Sequence, residues 1–167
     1  MKKILLVISC ALITLVGLAQ ADTIQPPYKK FPTFPPVKLL MPDSVSFYTK
    51  AELPRKKAIM LMLFNPQCDH CQHETEALVQ NIDKFKDIQV VMATTALHPD
   101  MMAFREKYKL AQYENIVVCR DTDYFLFSFF GISNFPYHAF YNKKKELISV
   151  FQGSMTVDKI LAQLNAH

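Results

Sequence analysis

Little net charge, few cysteines and no internal repeat characterise the 167-residue sequence, and tryptophan is absent altogether. The formal charge is +4 and falls to +2 once Lys2 and Lys3 are set aside. That excess is too small and too scattered for a nucleic-acid surface. Of the 4 cysteines, Cys10 lies in the apolar N-terminus, which leaves Cys68, Cys71 and Cys119. An odd set of this size argues against a multi-disulfide scaffold. A second CxxC and an HxxxH are both missing, and structural zinc needs about four ligands. Cys68, His70, Cys71 and His73 crowd one and a half helical turns and cannot converge on one ion. A copper site built on a CxxxC pair is excluded by spacing, although His138 stands far along the chain.

The chain opens "MKKILLVISCALITLVGLAQAD": a lysine n-region, an apolar run from Ile4 to Ala19, and Ala19-Gln20-Ala21 as a small-x-small cleavage site. The run is short of the roughly 20 residues of a membrane span. Residues 1–21 therefore read as a signal peptide, and export to the periplasm is the expectation. Two alternatives hold the protein at the membrane, facing the periplasm: a lipidated Cys10 in "VISC", or an uncleaved N-terminal helix. Removing 21 of the 167 residues leaves 146, enough for one domain with a real core. Residues 26–36, "PPYKKFPTFPP", hold five of the ten prolines and read as a semi-rigid polyproline II spacer, so 22–36 is expected to be a linker and 37–167 the domain.

From Val37 onward, strand-like and helix-like segments alternate. "AIMLMLF" (58–64) and "DIQVVMATTA" (87–96) are continuous apolar runs, the pattern of strands buried on both faces. "CDHCQHETEALVQNIDKFK" places Ala77, Leu78, Ile82 and Phe85 at helical spacing. "HPDMMAFREKYKL" is a second helix with Pro99 in its first turn. "NIVVCRD" reads as a short strand, and "DTDYFLFSFFG" as an aromatic helix ended by Gly131. "YHAFYN" and "ELISVFQG" form a hairpin across the lysine-rich turn, and a helix capped by Thr156 closes the chain. This order predicts an α/β fold: a central mixed sheet flanked by helices on both faces.

The chemistry concentrates in "FNPQCDHCQHETEAL", where Cys68 follows a buried strand and opens a helix. Unpaired N–H groups and aligned peptide dipoles at a helix N-terminus favour an anion, so Cys68 is the candidate attacking thiolate. Cys71 lies one turn on, within disulfide reach and more buried, which suits a resolving thiol. His70, between them, can stabilise the Cys68 thiolate, and Asp69 opposes it. A purely structural Cys68–Cys71 disulfide would close too short a loop to stabilise much.

A strand–CxxC–helix unit is similar to the thioredoxin-like redox motif, and "GISNFPYHAF" resembles the same superfamily's second signature, a turn followed by a proline that starts a strand. The resemblance covers roughly Val37 to Ala166. It implies a thioredoxin-like fold in which Pro136 is the cis-proline beside the CxxC pair, with Phe135, Pro136 and Tyr137 shaping the substrate groove. The separation of Cys71 and Pro136 exceeds that of minimal thioredoxins and resembles the exported TlpA/ResA-like, peroxiredoxin-related branch. A CxxCxxE pattern recurs in that branch, and here it ends on Glu74, which would handle the proton of Cys71; a solvated helix carboxylate is the other reading. Three departures stand out: Gln67 replaces the tryptophan before the first cysteine, Met62 the buried acid of cytosolic thioredoxins, and Tyr137 the threonine after the cis-proline. The peroxiredoxin pattern PxxxTxxC is missing, so peroxidase activity is not expected.

The implied activity is thiol-disulfide exchange with protein disulfides or dithiols. It needs no cofactor, because the dithiol carries both electrons, but it does need a membrane or periplasmic redox partner for recycling. The branch resemblance favours a reductase of protein disulfides, while the CxHC core favours a DsbA-like oxidase. A non-catalytic thioredoxin-like binding module or metallochaperone is the reading from a different class. Cys119, ending an apolar strand, reads as a buried inert thiol, with a third redox cysteine or an intermolecular bridge as alternatives. The aromatics of "YFLFSFF" read mostly as core, with some exposed near Phe135 and Pro136 where an extended protein could bind. His98, His138 and His167 acquire no role.

Overall fold

The computed structural model describes residues 25–165. The signal peptide expected over residues 1–21, with Cys10, lies outside the described residues. Seven strands form one mixed sheet in the order β2-β1-β5-β4-β3-β6-β7. They are β1 (Lys38–Leu40), β2 (Phe47–Thr49), β3 (Ala58–Leu63), β4 (Ile88–Thr94), β5 (Ile116–Arg120), β6 (Tyr137–Tyr141) and β7 (Leu147–Gln152). β3, β4 and β5 run parallel, while β6 pairs antiparallel with β3, and β7 with β6. Every residue of β3, β4 and β6 is buried, as the continuous apolar runs require of strands covered on both faces.

Alternation along the strands divides the interior into two cores. Met60, Met62, Val90, Met92, Val118 and Phe140 face one, where α2 (Asp69–Gln80), α3 (His98–Lys107) and α5 (Val157–Asn165) close over them. Ile59, Leu61, Val91, Ala93, Tyr137 and Tyr141 face the other, beneath α4 (Phe125–Phe130) and the short α1 (Pro27–Lys30). The expected central mixed sheet with helices on both faces is the observed architecture.

Caps and turns place the helices. The buried carboxylate of Asp121 accepts the N–H groups of Phe125 and Leu126 at 3.1 and 2.8 Å and so caps α4, whose preceding residue Tyr124 is left-handed at φ 54°. Gly131, at φ 63°, ends α4 in the left-handed region where a glycine pays no steric penalty. The β6–β7 hairpin turns on Asn142, whose Oδ1 accepts the N–H groups of Lys144 and Glu146. Lys145 there is left-handed, and its Nζ donates to the carbonyls of Pro54 and Lys57.

The spacer expected over residues 26–36 is instead part of the domain. Phe34 is fully buried with its ring 5.0 Å from that of Tyr141; Tyr28 lies 5.7 Å from Phe130; and Thr33 makes a β-bridge with Glu146. The prolines set extended and first-turn backbone, but the aromatic side chains between them bind the segment to α4 and the hairpin. Apolar burial outweighs the preference of a proline-rich stretch for solvated polyproline II.

Candidate functional site

β3 ends at Leu63, and the chain leaves the sheet through a tight turn that delivers Cys68 to the start of α2. Asn65 builds the turn: its Oδ1 accepts the Gln67 N–H at 2.9 Å, and its carbonyl accepts the Cys68 N–H at 3.0 Å. Cys68 is the N-cap residue of α2, and its Sγ accepts the Cys71 N–H at 3.4 Å. The sulfur thus occupies the place where a capping oxygen satisfies an orphan helix donor. Gln72 ties the first turn of α2 back to the loop through the Pro66 carbonyl at 2.9 Å.

The two thiols are unequal. Cys68 is half-buried at the surface, whereas Cys71 is fully buried, and both are free. Burial pushes the Cys71 thiol well above its ordinary range; the Asn65 backbone opposes this, and neighbouring Cys68 and Glu74 add to it. Cys71 is held as a neutral thiol beneath a more accessible sulfur. Thr75 Oγ1 donates to the Cys71 carbonyl at 2.8 Å, which fixes this turn of the helix.

Leu63 pairs with Tyr137, so Pro136, just ahead of β6, sits beside the end of β3 from which the Cys68 turn departs. The Phe135–Pro136 peptide bond is cis, and the Pro136 carbonyl accepts the Gly153 N–H at 2.8 Å. The loop before it hangs on Gln152, whose Oε1 accepts from the Ser133 N–H, the Ser133 hydroxyl and the Asn134 N–H. Phe135 is partly buried and packs against both cores; its ring lies 6.3 Å from Phe127, which is 38% exposed. Phe127 and Phe135 thus put a partly exposed aromatic pair at the Phe135–Pro136 loop, where the "YFLFSFF" pattern leads one to expect exposed rings.

Other sequence expectations fall differently. His70 is exposed on the first turn of α2, open to solvent beside Cys68. Tyr137 does not reach the groove with its side chain: strand alternation turns the ring into the far core at 1% exposure, so only its backbone lies near the site. Glu74 is not a solvated carboxylate. It is buried; its Oε1 lies 2.5 Å from His138 Nε2 and its Oε2 accepts the Met155 N–H at 2.8 Å. His138 is fully buried on β6, opposite Met62 of β3.

Sequence reasoning missed His138 and Gln152. The signal for His138 was present in two periodicities. Cys71, Glu74, Thr75 and Leu78 share the buried face of α2, and alternation from Phe140 puts position 138 on the same side of the sheet. No comparable pattern marks Gln152. Cys119 is buried with its thiol raised by burial to about 12 and lies 3.5 Å from Met41 Sδ. Among the described residues, no group of three or more His, Cys, Asp or Glu is placed to hold a metal ion, and no helix is long and apolar enough to cross a membrane.

The chain matches no protein-family model and no curated sequence. Solved structures do resemble it. DsbF of Mycobacterium tuberculosis, in mixed oxidized and reduced forms, superposes with a TM-score of 0.66 at 23% identity, over 78% of this chain and 94% of that one. A secreted M. tuberculosis disulfide oxidoreductase homologous to E. coli DsbE gives 0.66 at 20% identity, over 79% and 96%. A thiol:disulfide interchange protein DsbE from Chlorobium tepidum gives 0.64 at 18%, over 80% and 96%. At these identities the likeness establishes the fold, which is thioredoxin-like.

Proposed function

We propose that the protein is a thiol-disulfide oxidoreductase of the TlpA/ResA-like kind that reduces protein disulfides outside the cytoplasm. The observation that carries this reading is the inequality of the cysteines: a half-buried Cys68 at a helix N-cap, over a fully buried Cys71. In the reaction, the Cys68 thiolate attacks one sulfur of a substrate disulfide, and the other sulfur leaves as a thiolate. Cys71, deprotonated by Glu74, then attacks Cys68. The Cys68–Cys71 disulfide forms, the mixed disulfide breaks, and the substrate leaves as a dithiol while the protein is oxidised by two electrons. His70 stabilises the Cys68 thiolate from the solvent side. Phe135, Pro136 and the backbone of Tyr137 line the groove in which an extended substrate lies against Cys68. A membrane or periplasmic partner returns the electrons.

The relatives by fold include proteins described as disulfide oxidoreductases, one of them secreted, and this supports both the chemistry and an exported location. Equilibration of the Cys68–Cys71 pair with glutathione, beside an insulin-reduction assay, tests the reading. A potential near about −270 mV fits a reductant and one near about −120 mV an oxidant. Failure to turn over insulin, with tight stoichiometric metal binding instead, would sink the enzyme.

A further inference from the structure

We propose that His138 is the positioning residue that keeps Glu74 as a carboxylate one helical turn from the resolving thiol. The inference rests on the oxidoreductase reading above and adds to it a residue from the opposite side of the core. Glu74 follows Cys71 by three residues, the spacing at which helix side chains stand one above the other on the same face. Its side chain is 2% exposed, and carboxylates are rarely buried so fully without partners. Its two oxygens are held from two different elements. The Met155 N–H, ahead of α5, holds Oε2, and His138 Nε2, on β6, holds Oε1.

The chemistry of His138 fixes the direction of that second bond. Its Nδ1 is buried and has no hydrogen-bond partner among the described residues. Its ring lies parallel to Phe140, 5.9 Å away, and 6.4 Å from Phe151, so Nδ1 is in apolar surroundings. An N–H stranded there loses a full hydrogen bond, and a cation costs more. The neutral ring therefore carries its single proton on Nε2 and donates it to Glu74, leaving Nδ1 as a bare acceptor. Glu74 then has no proton of its own and can accept one. In the resolving step the Cys71 proton passes to the Glu74 carboxylate, and the Cys71 sulfur attacks Cys68. The bond from Cys68 to the substrate sulfur breaks, with the electron pair leaving on the substrate. The burial that keeps Cys71 neutral makes an adjacent proton acceptor necessary.

The test uses the reduced protein and a nitrobenzoate disulfide whose released thiolate absorbs visible light. The first release reports Cys68 attack, and the second reports closure by Cys71. His138→Asn places its amide too far back to reach Glu74, and His138→Phe removes the polar group. Either should slow the second phase at least about tenfold and leave the first within about twofold, since a positioned base contributes on the order of a hundredfold or more. His138→Gln, whose amide can stand in for the Nε2–H, should restore most of the second phase. Equal rates of closure in all variants, or equal slowing of both phases, overturns the inference while leaving the oxidoreductase reading intact. Absence of the first phase in the unmodified protein overturns both. Should the variants fail to fold, nitrogen NMR of the unmodified protein decides: a proton on Nε2 of His138 is expected, and a bare Nε2 with the proton on Nδ1 overturns the proposal.

Discussion

Cys68, Cys71 and Cys119 occupy three environments that should separate them chemically. With the reduced protein at about pH 8, iodoacetamide followed by mass spectrometry should find the first adduct on Cys68, because it is the one half-exposed thiol of the three. Cys119 should stay unmodified until the pH approaches its raised value of about 12 or the protein unfolds. Rapid labelling of Cys119 in the folded protein at pH 8 would contradict its burial. Cys71→Ser should trap a covalent complex between Cys68 and a protein disulfide substrate, seen on a non-reducing gel, and Cys68→Ser should trap none. Asp121 offers a residue-scale pH test. Burial raises its carboxyl above the ordinary 3.8, against the smaller opposing pull of the Leu126 and Phe125 N–H groups. The folded state thus binds the proton more tightly than the unfolded chain. Stability from this group is fully present below 3.8 and is lost as pH rises through the raised folded value. Urea midpoints of Asp121→Asn should vary less with pH over that window than those of the unmodified protein.

At the scale of elements, the helix ends carry the testable strain. A Cβ on Gly131 would meet Pro26 Cγ at 2.9 Å, and the residue sits at φ 63°. Gly131→Ala should cost about 1–2 kcal/mol in left-handed backbone alone, with more from the contact. The excess should shrink in a Pro26→Ala background, which a double-mutant cycle in urea would show. How much of this was legible in sequence depends on the element. β3 and β4 announced themselves because strands buried on both faces are apolar throughout, and the strand–Cys68–helix junction followed from that. β1 and β2 left no readable period: each has three residues, and each exposes its first residue and buries only its second. The Glu74–His138 pair was hidden for a different reason. Its partners lie 64 positions apart, and only the sheet register brings β6 under α2.

For the whole molecule, the prolines of residues 26–36 predict a solvated spacer, whereas the aromatics between them anchor the segment to the domain. Phe34→Ala should lower the unfolding free energy by about 3–5 kcal/mol, as for other buried phenylalanines. A true spacer would lose almost nothing, so equilibrium denaturation distinguishes the two readings cleanly. Redox chemistry should survive this substitution, because Phe34 lies in the core on the opposite side of the sheet from Cys71.

The packing of that segment also sets a length. Eleven residues running as polyproline II would hold a domain roughly 34 Å from its point of attachment, at about 3.1 Å per residue. Here they return along the hairpin and α4 instead. Were residues 4–19 to fasten the chain to a bilayer, the reach of the domain would be set by residues 20–25, at most about 3.5 Å each, and not by a rigid proline-rich arm.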